Sequence, residues 1–547
     1  MFGGEAKGTF HENIKYSPNP NLVVTRLDGR NFNFSGLTIP VSPNLFNQDK
    51  GRLWSYNLHY FEYLPVESNL SEKNLKFWTN LMADWILNDE KPNCLKSEPY
   101  VVSRRIVSWL KFVYAQNLQK YDRQLIPQIA NSLASQTSSL SISIEWHLRG
   151  NHLISNARAL IFSGLLIRSQ LAQGWLDKGF DLLLSQMNEQ IMNSGEHFEK
   201  SPMYHQSVLC DLLDVYDLTT QVLEHQNEFN LSFLKMIQAQ SVIAENICRM
   251  LSFSRMITHT DGSIARFNDS APKVYPSLAT TLKVAESLID KSLIGLGKSH
   301  EDGPKNYQSE LGFIRIECGK MCLLADIGGL NPHYQPGHFH SGDLSFELSA
   351  GPELFLCNVG VSSYDDLSIR SYERSSAAHN TVVLDSLNSS EVWSQFRVGR
   401  RSKVSRYERC FARECRLTYS AKSEHYFHRA WRKAFHVRTF STFSKFISIS
   451  DQVGGARRAS MFLHVASGIR VQDSVETATG NGIRAYYLIG KEGFVIVKIY
   501  GAGDVLLSDG YVAHDFGSRV PSTIIEVVLS TRFAEIQLSY CELFECR

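Results

Sequence analysis

QSVLCDLLDVYDLTTQVL, residues 206–223, carries apolar side chains every three or four positions: Val208, Leu212 and Tyr216 lie four apart, with Leu209 and Leu213 beside them. Side chains at that spacing leave one side of an α-helix, so the stretch reads as a helix with a broad buried face. The same period recurs on both sides of it, in LKFWTNLMADWIL (75–87), RRIVSWLKFVYAQNL (104–118), NHLISNARALIFSGLLI (151–167) and SLATTLKVAESLI (277–289). Short polar breaks such as Asn193-Ser194-Gly195 separate the segments. Helices of this length joined this way imply antiparallel hairpins in succession, the makings of a complete or incomplete α/α barrel.

Beyond His300-Glu301-Asp302-Gly303-Pro304 the period falls to two. GFIRIECG (312–319), KMCLLADIG (320–328), LSFELSAG (344–351), LFLCNVG (354–360), EGFVIVKIYG (492–501) and TIIEVVLSTRFAEIQLSY (523–540) are short, β-branched and aromatic. Gly and Asp punctuate them as in an antiparallel sandwich. The expected fold class is therefore α+β and multidomain: an N-terminal extension over 1–50, a helical barrel over 51–300 and an antiparallel β-sandwich over 301–547. A chain of 547 residues exceeds what one core supports, which agrees.

Lys and Arg number 56 against 55 Asp and Glu, a net charge of +1. That balance gives no support to nucleic acid or a membrane surface as the main partner, although a local basic patch for an acidic ligand stays open. The ten cysteines form no CxxC pair and read as reduced, structural thiols. MFGGEAKGTFHENIKY, at the start, has no apolar core of a secretory signal, and nothing approaches the ~18 apolar residues of a membrane span. A cytoplasmic location is expected, with a periplasmic one open if a leader precedes these residues.

Several side chains have the chemistry of a catalytic site. Ser201-Pro202 is a helix start, a Ser cap with Pro at the first position, and it places Tyr204 in the first turn. Asn151 and His152 follow Gly150 at another helix start, where a capping Asn and an interior His are the plain alternative. His338 and His340 are one residue apart in an expected strand, so both would leave the same face, toward one metal or as one ligand beside one base.

Six stretches, in order, resemble the heparinase II/III and alginate lyase group: WSYNLHYFEYL (54–64), EPYVVSRRIVSWLKF (98–112), EWHLRGNHLISNARAL (145–160), GEHFEKSPMYHQSVLCDLLD (195–214), GHFHSGDLSFEL (337–348) and RSYERSSAAHNTVVLD (370–385). The resemblance covers roughly residues 50–400. It implies an α/α toroid followed by an antiparallel β-sandwich, and a polysaccharide lyase that cleaves a uronic-acid-containing anionic glycan by β-elimination. Such a reaction removes the C5 proton, and the bond from C4 to the glycosidic oxygen then breaks. It needs the uronate carboxylate neutralised, a base and an acid.

By that resemblance Asn151 meets the substrate carboxylate with His152 beside it, Tyr204 is the acid with a second role as base left open, and His338 takes part in catalysis. Tyr364 matches a second catalytic tyrosine of some alginate-cleaving relatives, with Tyr372 as its competitor. His205, Arg104, Arg374 and Glu199 are the remaining substrate-binding or bracing candidates, whereas Arg105 and Arg370 read as surface or interdomain ion pairs. A divalent metal, zinc or calcium, is implied at His340 and His379, with Asn358 where the family carries an Asp. Asn is the poorer ligand, so a hydrogen-bond network in place of the metal is the alternative. Asp343 is excluded as a substitute if 340–343 form a regular strand, because the two residues then have opposite parity. The partner expected is an anionic polysaccharide or oligosaccharide. A uronyl C5-epimerase and a non-catalytic glycan-binding protein are the alternatives, since epimerisation needs the same residue types.

Overall fold

The structure, a computed structural model, describes residues 6–22, 27–28, 31–41, 45–48, 50–87, 94–118, 125–225, 231–290, 306–407, 417–427, 432–474 and 483–543. The described residues fall into two compact units. One is drawn from Met1–Gly195, Gln206–Leu251 and Leu278–Gly297, the other from Glu196–His205, Ser252–Ser277 and Lys298–Arg547. The chain thus passes between the units several times rather than once near residue 300, and that expected junction itself lies outside the described residues.

The first unit is built on α1 (Arg52–Tyr60), α2 (Glu72–Leu87), α3 (Pro99–Ala115), α4 (Ile126–Ile142), α5 (Asn151–Leu166), α6 (Ala172–Gln190), most of α7 (Pro202–His225) and α8 (Leu231–Met256), and α9 (Leu278–Leu288). Helices α3 and α5 are buried almost all round, polar residues included, and so form the inner layer. Phe61, Trp85 and Trp109 pack edge to face, with centroids 5.3–6.2 Å apart. The described residues of the 1–50 stretch do not stand apart. Thr9–Phe10 pairs with Ile167–Arg168, and Phe32, on a small hairpin, lies 4.0 Å from the ring of Tyr63.

Antiparallel sheets make up the second unit. A five-stranded sheet spans residues 306–356, a four-stranded sheet joins Val382–Leu384, Ala459–His464, Ala502–Asp515 and Ser518–Leu529, and an eight-stranded sheet takes most of the rest. Strand Gly493–Tyr500 alternates buried and half-buried side chains along its whole length, as a strand with one covered face must. One continuous core joins Leu323 and Leu348 of the first sheet, Leu463 and Val527 of the second, and Ile449 and Ile536 of the third.

Strand Met321–Asp326 is buried on both faces. Its Cys322 and Leu324 face a second core made by Phe253, Met256, Ile257, Ala265 and Phe267. That apolar cover is why Ser252–Ser277 belongs with the sheets, although it begins with the last residues of α8. The tie is reinforced by the buried carboxylate of Glu347, which accepts hydrogen bonds from His259 Nε2, at 2.8 Å, and from the backbone N–H of Arg266. Among the described residues, Cys210, Cys318, Cys322 and Cys357 are buried thiols, and no helix is long and apolar enough to cross a membrane.

Candidate active site

Helix α7 starts where the Ser-Pro pair places it. The Ser201 hydroxyl accepts the Tyr204 backbone N–H at 3.2 Å and donates to the Asp269 carbonyl at 2.5 Å, so the first turn is fixed from both sides. The Tyr204 ring consequently stacks on the His338 ring, centroids 3.9 Å apart and planes 28° apart. Its hydroxyl lies 3.2 Å from that of Tyr364. Tyr204, His338 and Tyr364 therefore come together, whereas Tyr372, the competitor, packs at 5.8 Å from Tyr511. Burial, and then the charge of Asp269, hold the Tyr364 hydroxyl well above its usual range, so it is a neutral donor.

His338 and His340 do not lie in a strand. The GHFHSGD stretch is a loop that ends at Leu344, with φ +60°, before strand Phe346–Ala350 begins. What unites the two imidazoles is Asp269, a residue that sequence reasoning missed. His338 Nδ1–H donates to Asp269 Oδ2 at 2.8 Å and His340 Nε2–H to Oδ1 at 2.7 Å, while Arg370 grips both carboxylate oxygens. All of Asp269, His340 and Arg370 is buried. Burial alone would raise the Asp269 carboxyl, but the Arg370 guanidinium and the two imidazole donors hold it well below the usual carboxylate range. An ionised Asp269 fixes the proton of His338 on Nδ1, which leaves Nε2 as the atom able to accept one. The only local mark of Asp269 is a polar Asn268-Asp269-Ser270 run after a helix, and nothing local reveals its partners.

The expected metal ligands separate into a pair and an outlier. His379 Nδ1–H donates to the Ser375 carbonyl at 2.7 Å and His340 Nε2–H to Asp269, so the unprotonated His379 Nε2 and His340 Nδ1 face each other with the nitrogens 3.3 Å apart. Two imidazole nitrogens held ~2.1 Å from one tetrahedral cation would stand about 3.4 Å apart, so this pair fits one. Asn358 does not join it. Its Oδ1 accepts the Asn380 N–H at 3.0 Å, and the residue is absent from the walls of the cavity that His340 and His379 line. Asp343 does line that cavity, with a buried Oδ1 that has no hydrogen-bond partner. Because the segment is a loop, the parity that excluded Asp343 does not apply. Among the described residues, no three His, Cys, Asp or Glu side chains converge at ligand distance.

Other expected residues occupy different surroundings. Arg374 is buried and donates to the carbonyls of Phe339, Trp393 and Ser394, which leaves it no face for a substrate anion. Arg370 and Arg105 are likewise inside rather than in surface pairs. Arg105 lies 4.2 Å over Trp85 and donates to the Lys96 carbonyl at 3.0 Å. His205 is buried against Phe253, its Nε2 2.9 Å from the Ser254 hydroxyl. Glu199 is buried with His197 Nδ1 3.8 Å away, and burial followed by the charges of His205 and His338 pushes His197 well below the usual imidazole range.

In the helical unit, Asn151 opens α5 behind Gly150 (φ +60°) without capping it. Its buried Oδ1 has no hydrogen-bond partner, and its Nδ2 reaches the Tyr100 hydroxyl only at 3.5 Å. His152 stacks on Tyr100 at 4.3 Å, with Nδ1 3.1 Å from Glu145. Arg104 is held by Glu62 and by Asp211 at 3.1 Å, in a buried network with Arg158, Lys111 and Asp214. It is a structural cation there, and that explains its burial better than an open substrate contact.

Three comparisons bear on this arrangement. The heparinase II/III N-terminus family model matches residues 64–289, and the heparinase II/III-like C-terminal model matches 302–537. The chain is 26% identical over 200 residues to the heparin-sulfate lyase of Bacteroides thetaiotaomicron (32% of this chain, 28% of the relative). It is 23% identical over 349 residues to that of Pedobacter heparinus (58% and 49%), so the matches span at most about half of these relatives. The crystal structure of heparinase III has a TM-score of 0.70 at 16% identity, covering 92% of this chain and 79% of that one. A heparan sulfate lyase structure from Pedobacter heparinus has 0.55 at 15%, covering 94% and 81%. With its helical part matched by one family model and its sheets by the other, the chain belongs to the heparinase II/III-like family and has its fold, an α/α toroid followed by an antiparallel β-sandwich.

Proposed function

We propose that this protein is a polysaccharide lyase that cleaves an anionic, uronic-acid-containing glycan by β-elimination. The observation that carries the reading is the stack of Tyr204 on His338, with His338 held by an ionised Asp269. That arrangement supplies a base and an acid side by side. His338 Nε2 takes the C5 proton, and the Tyr204 hydroxyl protonates the glycosidic oxygen as the bond from C4 breaks. Tyr364, neutral and hydrogen-bonded to Tyr204, keeps that hydroxyl oriented. The uronate carboxylate, whose charge must be offset for C5 to become acidic, falls by the family resemblance to Asn151, whose Nδ2 can donate to it and has the Tyr100 hydroxyl only at 3.5 Å. The heparin-sulfate lyases among the relatives support an anionic glycan as substrate.

His340 and His379 would hold a divalent metal, zinc or calcium, with the orphan oxygen of Asp343 rather than Asn358 as the acid of the pocket. When bound, it would brace the loop that carries His338. The decisive experiment is incubation with a panel of uronate polysaccharides. Ultraviolet-absorbing, unsaturated ends are expected from one of them. Exchange of the C5 proton without such ends would replace the lyase with an epimerase, and binding without either would leave a glycan-binding protein.

A further inference from the structure

Strands Val392–Trp393 and Arg397–Val398 form a two-stranded hairpin beside the His338 site. A ribbon this short has little stability of its own. Here the tip is pinned from below by two buried guanidinium groups. Arg370 donates to the Gln395 carbonyl at 2.9 Å, and Arg374 to those of Trp393 and Ser394 at 3.3 and 3.2 Å. The Phe396 ring, itself still exposed at one side, lies 5.1 Å from the Tyr364 ring and 6.2 Å from that of His338. The hairpin is thus locked to the site by the same Arg370 that grips Asp269.

Its other side is open. Trp393 and Arg397 are directly opposite each other in the register, so their side chains share one face. Trp393 is 57% exposed, and Arg397 is exposed with no hydrogen bond or ion pair to the described residues. A single exposed aromatic side chain needs no explanation. An indole and an unpaired guanidinium side by side, on a ribbon fastened by two buried cations, form a rigid platform with an apolar plane and an anion fork. Indole faces stack on the C–H face of a pyranose, and a guanidinium matches a carboxylate or sulfate bidentately.

We infer that Trp393 and Arg397 form a subsite for an acidic sugar of the glycan chain beyond the one held at His338, with the indole under the ring and the guanidinium on its carboxylate or sulfate. The inference rests on the glycan reading above and extends it to a position that no catalytic group occupies.

The test uses the full chain carrying Tyr204→Phe, so that substrate is bound without turnover, titrated by calorimetry with a heparan sulfate hexasaccharide, its carboxyl-reduced, desulfated counterpart and a heparan sulfate disaccharide. Trp393→Ala and Arg397→Ala, each added to that chain, are expected to weaken hexasaccharide binding about tenfold, with Trp393→Phe restoring most of it. Disaccharide binding stays unchanged, and the neutral hexasaccharide senses only the loss of Trp393. Equal hexasaccharide affinity in the parent and both variants overturns the inference and leaves the lyase reading standing. If the parent binds neither this probe nor chondroitin, hyaluronan or alginate hexasaccharides, the glycan reading falls and the subsite with it.

Discussion

The Tyr204 ring lies flat on the His338 ring, 3.9 Å between centroids, and each is fixed by a different part of the chain. Tyr204 is set by the first turn of a capped helix, and His338 by a carboxylate from a distant loop. Removing only the phenolic oxygen keeps the stack. Tyr204→Phe is therefore expected to retain binding of the polysaccharide and to lose about a hundred- to ten-thousand-fold in rate. Release of unsaturated ends and calorimetric binding check both halves, and a variant with parental turnover would remove Tyr204 from the proton transfers.

In the proposed reaction Asp269 positions His338, and Asp269→Asn separates orientation from binding. The amide keeps the shape but loses the charge that places the proton on His338 Nδ1. We expect kcat to fall by about a hundredfold or more with KM little changed. Leaving Arg370 without its ion also costs stability, about 3 kcal/mol, so melting is measured alongside. A fall in stability with kcat intact would make Asp269 merely structural.

His340 Nδ1 and His379 Nε2 lie 3.3 Å apart, so the metal proposed above would sit between them. Protein stripped with a chelator is expected to gain several degrees of thermal stability on addition of zinc or calcium, and His379→Ala to abolish that gain. Asn358→Ala should leave it in place, because that amide serves the Asn380 backbone. No response to either metal would favour the hydrogen-bond network.

Glu373 ends a short helix, Leu367–Glu373, and burial pushes its carboxyl up to about 7 although Ser362 donates to it. The folded protein thus binds more protons than the unfolded chain between the usual value, 4.5, and 7. Stability therefore falls as pH rises through that window and is level above it, a loss of about 3 kcal/mol. Glu373→Gln has no proton to lose. Denaturant midpoints measured from pH 4 to 8 should slope downward less in the variant than in the parent. Parallel slopes would show that this carboxyl does not titrate as described.

Much of this was legible in the residues. A period near 3.6 marks many of the helices and a period of two many of the strands because those elements have one face to bury. Ser201-Pro202 marks the turn that carries Tyr204, since capping is local chemistry. The GHFHSGD stretch defeated the same reasoning: alternation suggested a strand, but the left-handed residue at Leu344 and a shared carboxylate make it a loop. Arg370 and Arg374 were legible as cations only. That carbonyls of a hairpin tip and a buried Asp surround them is a property of tertiary packing, and the importance of Asp269 has the same origin.

The crossing of the chain between its units has a consequence for inheritance. Asp269 and the apolar cover of strand Met321–Asp326 are encoded upstream of residue 300, among helices, yet they complete the sheet-rich half. A gene fusion that swapped that half at the obvious linker would transplant His338 without the acid that orients it and expose Cys322 and Leu324. The two halves must therefore diverge in step, and a functional graft has to carry residues 196–205 and 252–277 along with the sheets.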